Sequence, residues 1–208
     1  FRSFLDGLNE AHDSDPALLA KLLGLLPSAL PSHVTIGLTA PNYAQVAGYL
    51  GGRVKIGDAW SLPPLTQSSS AAYAQKRLLP ERASAALIGR ICDKANGHPL
   101  YLRYIIEYAN QQVNDDNLNE FPVLTGPIEE YYETVWVKLA PDSNAVHLLA
   151  VMARLRWGIA MTDFVKALTP AEQAAFTSTI ARVRHLLADV ETSAIYHHSF
   201  SAFVLSRT

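Results

Sequence analysis

One cysteine, Cys92, stands in 208 residues. That excludes a disulfide framework and any zinc site built on cysteines, and makes a reducing, cytoplasmic setting the simplest expectation. Charge is also scarce, at 17% of residues against about a quarter in an ordinary domain. The 17 basic and 19 acidic side chains leave a formal net charge of −2. No broad positive field is available to hold nucleic acid or an anionic lipid surface, so neither is expected as a partner. Long apolar runs are missing too. Leu18–Leu30 is interrupted by Lys21, Pro27 and Ser28, and falls short of the roughly 20 residues that cross a bilayer. No secretory leader pattern opens the chain. What is present is apolar: 49% hydrophobic residues and a mean hydropathy of +0.07 exclude a disordered tail and suit one large domain or a few small modules.

The first 60 residues alternate. Phe1–Leu5 reads as a short buried strand closed by the turn pair Asp6-Gly7, Asp15-Pro16 as a helix start for about Ala17–Leu26, and His33–Thr39 as a strand buried on both faces. Asn42–Leu50 reads as a helix and Arg53–Ile56 as another strand. This rhythm predicts an α/β parallel sheet. A junction rich in breakers follows Trp60, with Leu62-Pro63-Pro64-Leu65 and Ser68–Ser70, and helical patterning takes over. Helices are predicted at about 70–77, 81–95, 99–113, 126–139, 143–154, 162–168 and 170–187, with 114–120 as a surface loop. Two short strands, 189–190 and 194–197, and a last helix at 199–206 complete the expectation of a C-terminal winged helix. The chain opens on Phe1 within a strand-like segment, so upstream sequence is expected.

Several short motifs carry possible chemistry. In Phe4–Glu10 an apolar strand ends in Asp6, with Glu10 a few residues on. Asp6 is placed to hold Mg²⁺ through its water shell and Glu10 to polarise an attacking water, whereas the plain alternative is a strand ending in an Asx turn. Gly97-His98-Pro99-Leu100 suits a helix stop followed by a helix start. In Tyr196–Phe200 the paired histidines His197 and His198 point to opposite faces of a strand and make a poor metal site, and Ser199 is the expected N-cap. Tyr101, Tyr104 and Tyr108 recur at helical spacing and predict a half-buried helix face.

In their order, these motifs resemble the STAND-class signal-transducing NTPases, the NACHT and NB-ARC relatives within the AAA+ superfamily. Leu5–Ala11 (LDGLNEA) is similar to their Walker B segment, Gly37–Asn42 (GLTAPN) to the sensor 1 strand end, and Leu62–Leu65 (LPPL) to the junction into the helical lid. Gly97–Leu100 (GHPL) is similar to the GxPL motif and His197–Phe200 (HHSF) to the HxSF element of the winged helix. The resemblance implies an α/β core over 1–60, a helical lid over 61–126 and a winged helix over 127–208. It also implies ATP/ADP and Mg²⁺ as cofactors. Pro99, with Gly97, would lie by the adenine, His197 would reach the β-phosphate, Thr39 would sit at the sensor strand end, and Asp6 and Glu10 would be catalytic. Three departures stand out. Asn9 replaces a second acid, Ala40 replaces the sensor arginine, and no GxxxxGK(S/T) loop is present to cradle phosphates. The P-loop half is therefore expected upstream, and this chain alone is expected to bind ATP weakly or not at all.

The functional expectation is part of a nucleotide-dependent switch in prokaryotic signalling or antiviral defence. It would oligomerise with copies of itself after a sensor domain outside this segment detects a protein trigger, with slow ATP hydrolysis at most. Two other classes remain open. One is a catalytically silent scaffold in which the motifs survive as packing. The other is a DNA-binding regulator using Arg182, Arg184 and His185 on the helix at 170–187, where a solvated helix face is the favoured reading.

Overall fold

The computed structural model describes residues 2–5, 8, 15–27, 29–40, 43–50, 62–112, 115–155, 157–189 and 191–208. Its chain divides into two compact units, Phe1–Pro63 and Pro64–Thr208, and helices dominate. Among the described residues no helix is long and apolar enough to cross a membrane.

In the first unit β1 (Arg2–Leu5) pairs in parallel with β2 (Thr35–Leu38), in a register running from Arg2↔Thr35 to Leu5↔Leu38. Parallel neighbours need a crossover between them, and α1 (Pro16–Gly24) lies in that crossover. The Asp15 side chain accepts from the Leu18 N–H at 2.9 Å and Pro16 fills the first turn, as the Asp-Pro pair predicts. Leu19 and Leu23 of α1 join Leu8 and Leu50, the last residue of α2 (Tyr43–Leu50), in a small core. The strand expected at 53–56 lies outside the described residues, so the sheet described here has two strands and the larger α/β sheet expected from the sequence is not seen.

The second unit contains α3 (Gln67–Arg77), α4 (Ala85–Ala95), α5 (Pro99–Gln111), α6 (Ile128–Leu139), α7 (Ser143–Arg154), α8 (Met161–Lys166), α9 (Pro170–Val183) and α10 (His198–Arg207). One core runs through it, from Ala74 of α3 across Tyr101, Tyr104 and Ile105 of α5 to Tyr132 of α6 and Phe200 of α10. The sequence boundary at 126/127 falls inside this unit. A satellite cluster of Leu148, Met152, Phe164 and Leu187 ties α7 and α8 to the C-terminal segment.

Several expectations need correction. The helix expected from Glu81 begins only at Ala85. Pro80 starts a separate 3-10 turn, Pro80–Arg82, and Ser84 caps α4 by accepting from the Leu87 N–H at 3.2 Å. Ser84→Ala is expected to cost about 1 kcal/mol in a urea titration, and an unchanged midpoint would show the cap to be dispensable. The loop expected at 114–120 forms a 3-10 helix over Asp115–Glu120 whose Leu118 is buried. The helix expected to reach Leu187 stops at Val183 and passes into a 3-10 turn, Arg184–Leu186. Of the expected hairpin strands, Val190 lies outside the described residues; among the described ones the pairing is the antiparallel bridge Leu187↔Ile195, with Ala160↔Thr192 as a second bridge. The Asp189 carboxylate accepts from the Glu191 and Thr192 N–H groups at 2.7 and 2.8 Å, so the turn outcompetes strand pairing locally. His185 is buried rather than displayed with Arg182 and Arg184, which removes it from any DNA-reading face. Tyr101 and Tyr104 are fully buried, deeper than their spacing suggests.

Candidate ligand-binding site

The site begins where α4 stops. Asn96 and Gly97 both take positive φ, 47° and 76°, reversing the chain in two residues. The Gly97 carbonyl accepts from the Leu65 N–H at 2.8 Å. A Cβ at position 97 would lie 2.7 Å from the Leu65 carbonyl oxygen and 3.0 Å from the Pro64 Cβ. Only glycine meets both demands. His98 then caps α5, its Nδ1 accepting from the Tyr101 N–H at 3.3 Å, and Pro99 takes the first helical position. Pro64 and Leu65 are thereby held against Gly97, far away in sequence. Burial holds the His98 imidazole below its ordinary pKa, opposed by the negative charge of Glu129 and reinforced by His197.

The C-terminal wall is made by the start of α10. His197, not Ser199, is its N-cap, with Nδ1 accepting from the Ser199 N–H at 3.2 Å. Both residue types can cap a helix, and Ser199 is engaged elsewhere: its hydroxyl lies 2.8 Å from His197 Nδ1 and 2.7 Å from the Tyr132 hydroxyl. Tyr132 in turn meets the Tyr104 hydroxyl at 3.3 Å. Since Nδ1 accepts from a backbone N–H, the proton of the neutral ring sits on Nε2. The hydroxyls of Tyr104, Tyr132 and Ser199 form a chain of contacts that ends on His197 Nδ1. Burial raises the pKa of both tyrosines, which keeps the donors protonated. His197 is thus oriented from the core outward.

Between these walls lies a cavity of about 430 Å³ lined by Leu65, Tyr73, Pro99, Leu100, Arg103, Tyr196 and His197. That volume falls in the range of small-ligand sites, ~300–1,000 Å³. Leu65, Pro99 and Leu100 supply apolar wall. Arg103 supplies charge: the residue is 7% exposed, its Cζ lies 3.2 Å from the centroid of the Tyr196 ring, and its Nη2 reaches the Ala188 carbonyl at 3.5 Å. Its Nε and Nη1 are buried and have no hydrogen-bond partner among the described residues. The guanidinium stays charged at any ordinary pH, so these donors match an anion, while the apolar wall matches a flat ring. The residues present therefore fit a ligand that joins an aromatic base to phosphate.

The structure brings Pro99 and His197 to one cavity, whereas Gly97 is not among its lining residues and instead holds Leu65 in place. Thr39 follows β2 in the other unit and is exposed, with Ala40 packed against the Leu19–Leu23 core. Asp6, Asn9 and Glu10 lie outside the described residues. Among the described residues no group of three or more His, Cys, Asp or Glu side chains could hold a metal ion. Sequence reasoning missed Arg103 and Tyr196. The available signal was a lone basic residue within the apolar run Pro99–Ile106. Compared with known proteins, the chain matches no family model, no curated protein and no solved structure.

Proposed function

We propose that this chain carries the lid and winged-helix part, with a portion of the α/β core, of a STAND-class nucleotide-dependent switch. The observation that supports it is the meeting of Pro99 and His197, together with Leu65, in one cavity. These residues come from three of the motifs on which the resemblance rests, and packing alone does not require them to share a void. In this reading the apolar wall of Leu65, Pro99 and Leu100 receives the adenine and His197 offers Nε2–H to a phosphate. The hydroxyl chain behind His197 fixes the ring before ligand arrives.

ADP bound this way ties the start of α10 to the start of α5 and favours a closed state. Exchange for ATP shifts the population toward an open state that assembles with other copies. Asp6 would hold Mg²⁺ through water and Glu10 would serve a slow hydrolysis that resets the switch. The setting proposed is cytoplasmic signalling or antiviral defence, with the trigger sensed by another domain.

Calorimetric titration of ADP into the chain and its His197→Asn variant tests this. Asparagine keeps a good N-cap but loses the reach of Nε2. Because the chain carries no GxxxxGK(S/T) loop, we expect ADP binding that is weak but saturable at millimolar nucleotide and that weakens about tenfold further in the variant, the worth of one hydrogen bond to a charged group. Equal affinity in both proteins removes His197 from the site. No saturable binding to the parent chain even at millimolar ADP contradicts the placing of a nucleotide in this cavity and favours the silent scaffold.

A further inference from the structure

Arg103 carries a charge that nothing among the described residues balances. It is the one basic residue of α5, and the helix's one acid, Glu107, is turned to Arg77 at 3.9 Å. No ion pair among the described residues includes Arg103. Its face is stacked by Tyr196, but stacking engages the π-face of the guanidinium and leaves the in-plane Nε–H and Nη1–H groups without a partner among the described residues. A buried cation in this state is costly unless a partner completes it. The covering ring is itself 44% exposed and belongs to the short segment between the Leu187↔Ile195 bridge and α10.

We infer that Arg103 is the anion-binding residue of this cavity, stored beneath Tyr196 and uncovered to take a phosphate or pyrophosphate group. The identity of the whole ligand as a nucleotide rests on the function proposed above; the anion site does not. His197 stands on the same cavity, so an entering phosphate meets a hydrogen-bond donor and a full positive charge together. The planar fork suits two phosphate oxygens at once.

The test is binding of sodium pyrophosphate, adenosine and ADP to the whole chain, at ionic strength held constant with potassium chloride, by calorimetry and thermal melting. Pyrophosphate is expected to raise the melting temperature of the parent chain saturably. Arg103→Met, of similar length and apolar, is expected to melt at the same or a higher temperature without ligand, because it removes an unbalanced buried charge. It should lose about 10- to 100-fold in affinity for pyrophosphate and ADP and none for adenosine. Tyr196→Ala should bind pyrophosphate more tightly than the parent, since no cover has to be displaced; weaker binding would contradict the covering role. Arg103→Met binding pyrophosphate like the parent, or melting far below it, overturns the assignment and makes Arg103 a packing residue. Arg103-dependent pyrophosphate binding without any adenosine binding would sustain the anion site and overturn the nucleotide reading. Adenosine and ADP binding alike to both proteins would do the reverse.

Discussion

Gly97→Val is expected to destabilise the helical unit by about 3 kcal/mol. A side chain at φ 76° costs ~1–2 kcal/mol for the left-handed backbone alone, and more for a β-branched residue. The new Cβ would also sit 2.7 Å from the Leu65 carbonyl oxygen, which is backbone and can yield only by moving Pro64 and Leu65, at a cost of ~1–3 kcal/mol. That movement breaks the hydrogen bond from the Leu65 N–H to the Gly97 carbonyl and shifts the Leu65 wall of the cavity. Gly97→Ala should show the same defect at about 2 kcal/mol. Urea titrations of the three proteins decide it. A loss below about 1 kcal/mol for valine, the average for any substitution, would mean that the two segments are not held as described.

Acid should weaken the fold through His185. The ring is wholly buried between α5, α6 and the turn after α9, with the Tyr131 hydroxyl on Nε2. Around it stand Tyr104, Tyr108 and Phe121. Burial, with the positive charge of Lys138 adding, pushes its pKa from 6.5 down to about 3. The unfolded chain takes up this proton near pH 6.5 and the folded chain only near pH 3, so the folded state binds fewer protons across that window. The neutral ring's contribution is complete above pH 6.5 and is lost as pH falls below it, at about 1.4 kcal/mol per unit. Between pH 7 and pH 5, above most carboxylate titration, the parent chain should lose about 2 kcal/mol more than His185→Gln. Denaturant midpoints at the two pH values provide the comparison. Parallel losses in both proteins would show that His185 is solvated.

What could be read from the sequence was mainly local. Asp15-Pro16 and Gly97-His98-Pro99 mark helix ends because capping needs an acceptor, a positive φ or a proline at fixed positions, and these demands act over a few residues. The same logic misjudged Ser199, since His197 is equally able to cap and only the Tyr132 hydroxyl, from another helix, decides between them. The spacing of Tyr101, Tyr104 and Tyr108 identifies a helix face but not its depth. Tyr101 and Tyr104 are buried because Phe121 and Tyr131 arrive from distant segments, while Tyr108 stays half-buried against Phe121. Leu118 is one apolar residue in a polar stretch, too weak a pattern to announce a buried 3-10 turn. At the site, the family resemblance implied that Pro99 and His197 face one ligand, and both line one cavity, whereas it gave no indication of Arg103. A lone charge on an apolar helix gives no sign in sequence of whether a carboxylate waits opposite.

The central claim is that the cavity bounded by Leu65, Pro99 and His197 receives a nucleotide. Titrating the ¹⁵N-labelled chain with ADP and following its backbone amide resonances tests that claim most directly. The account predicts saturable shifts concentrated at Leu65, Leu100, Tyr101, Arg103, Tyr196 and His197, with adenosine reproducing those nearest Pro99. Shifts confined to another surface, or a spectrum unchanged by ADP, would contradict it.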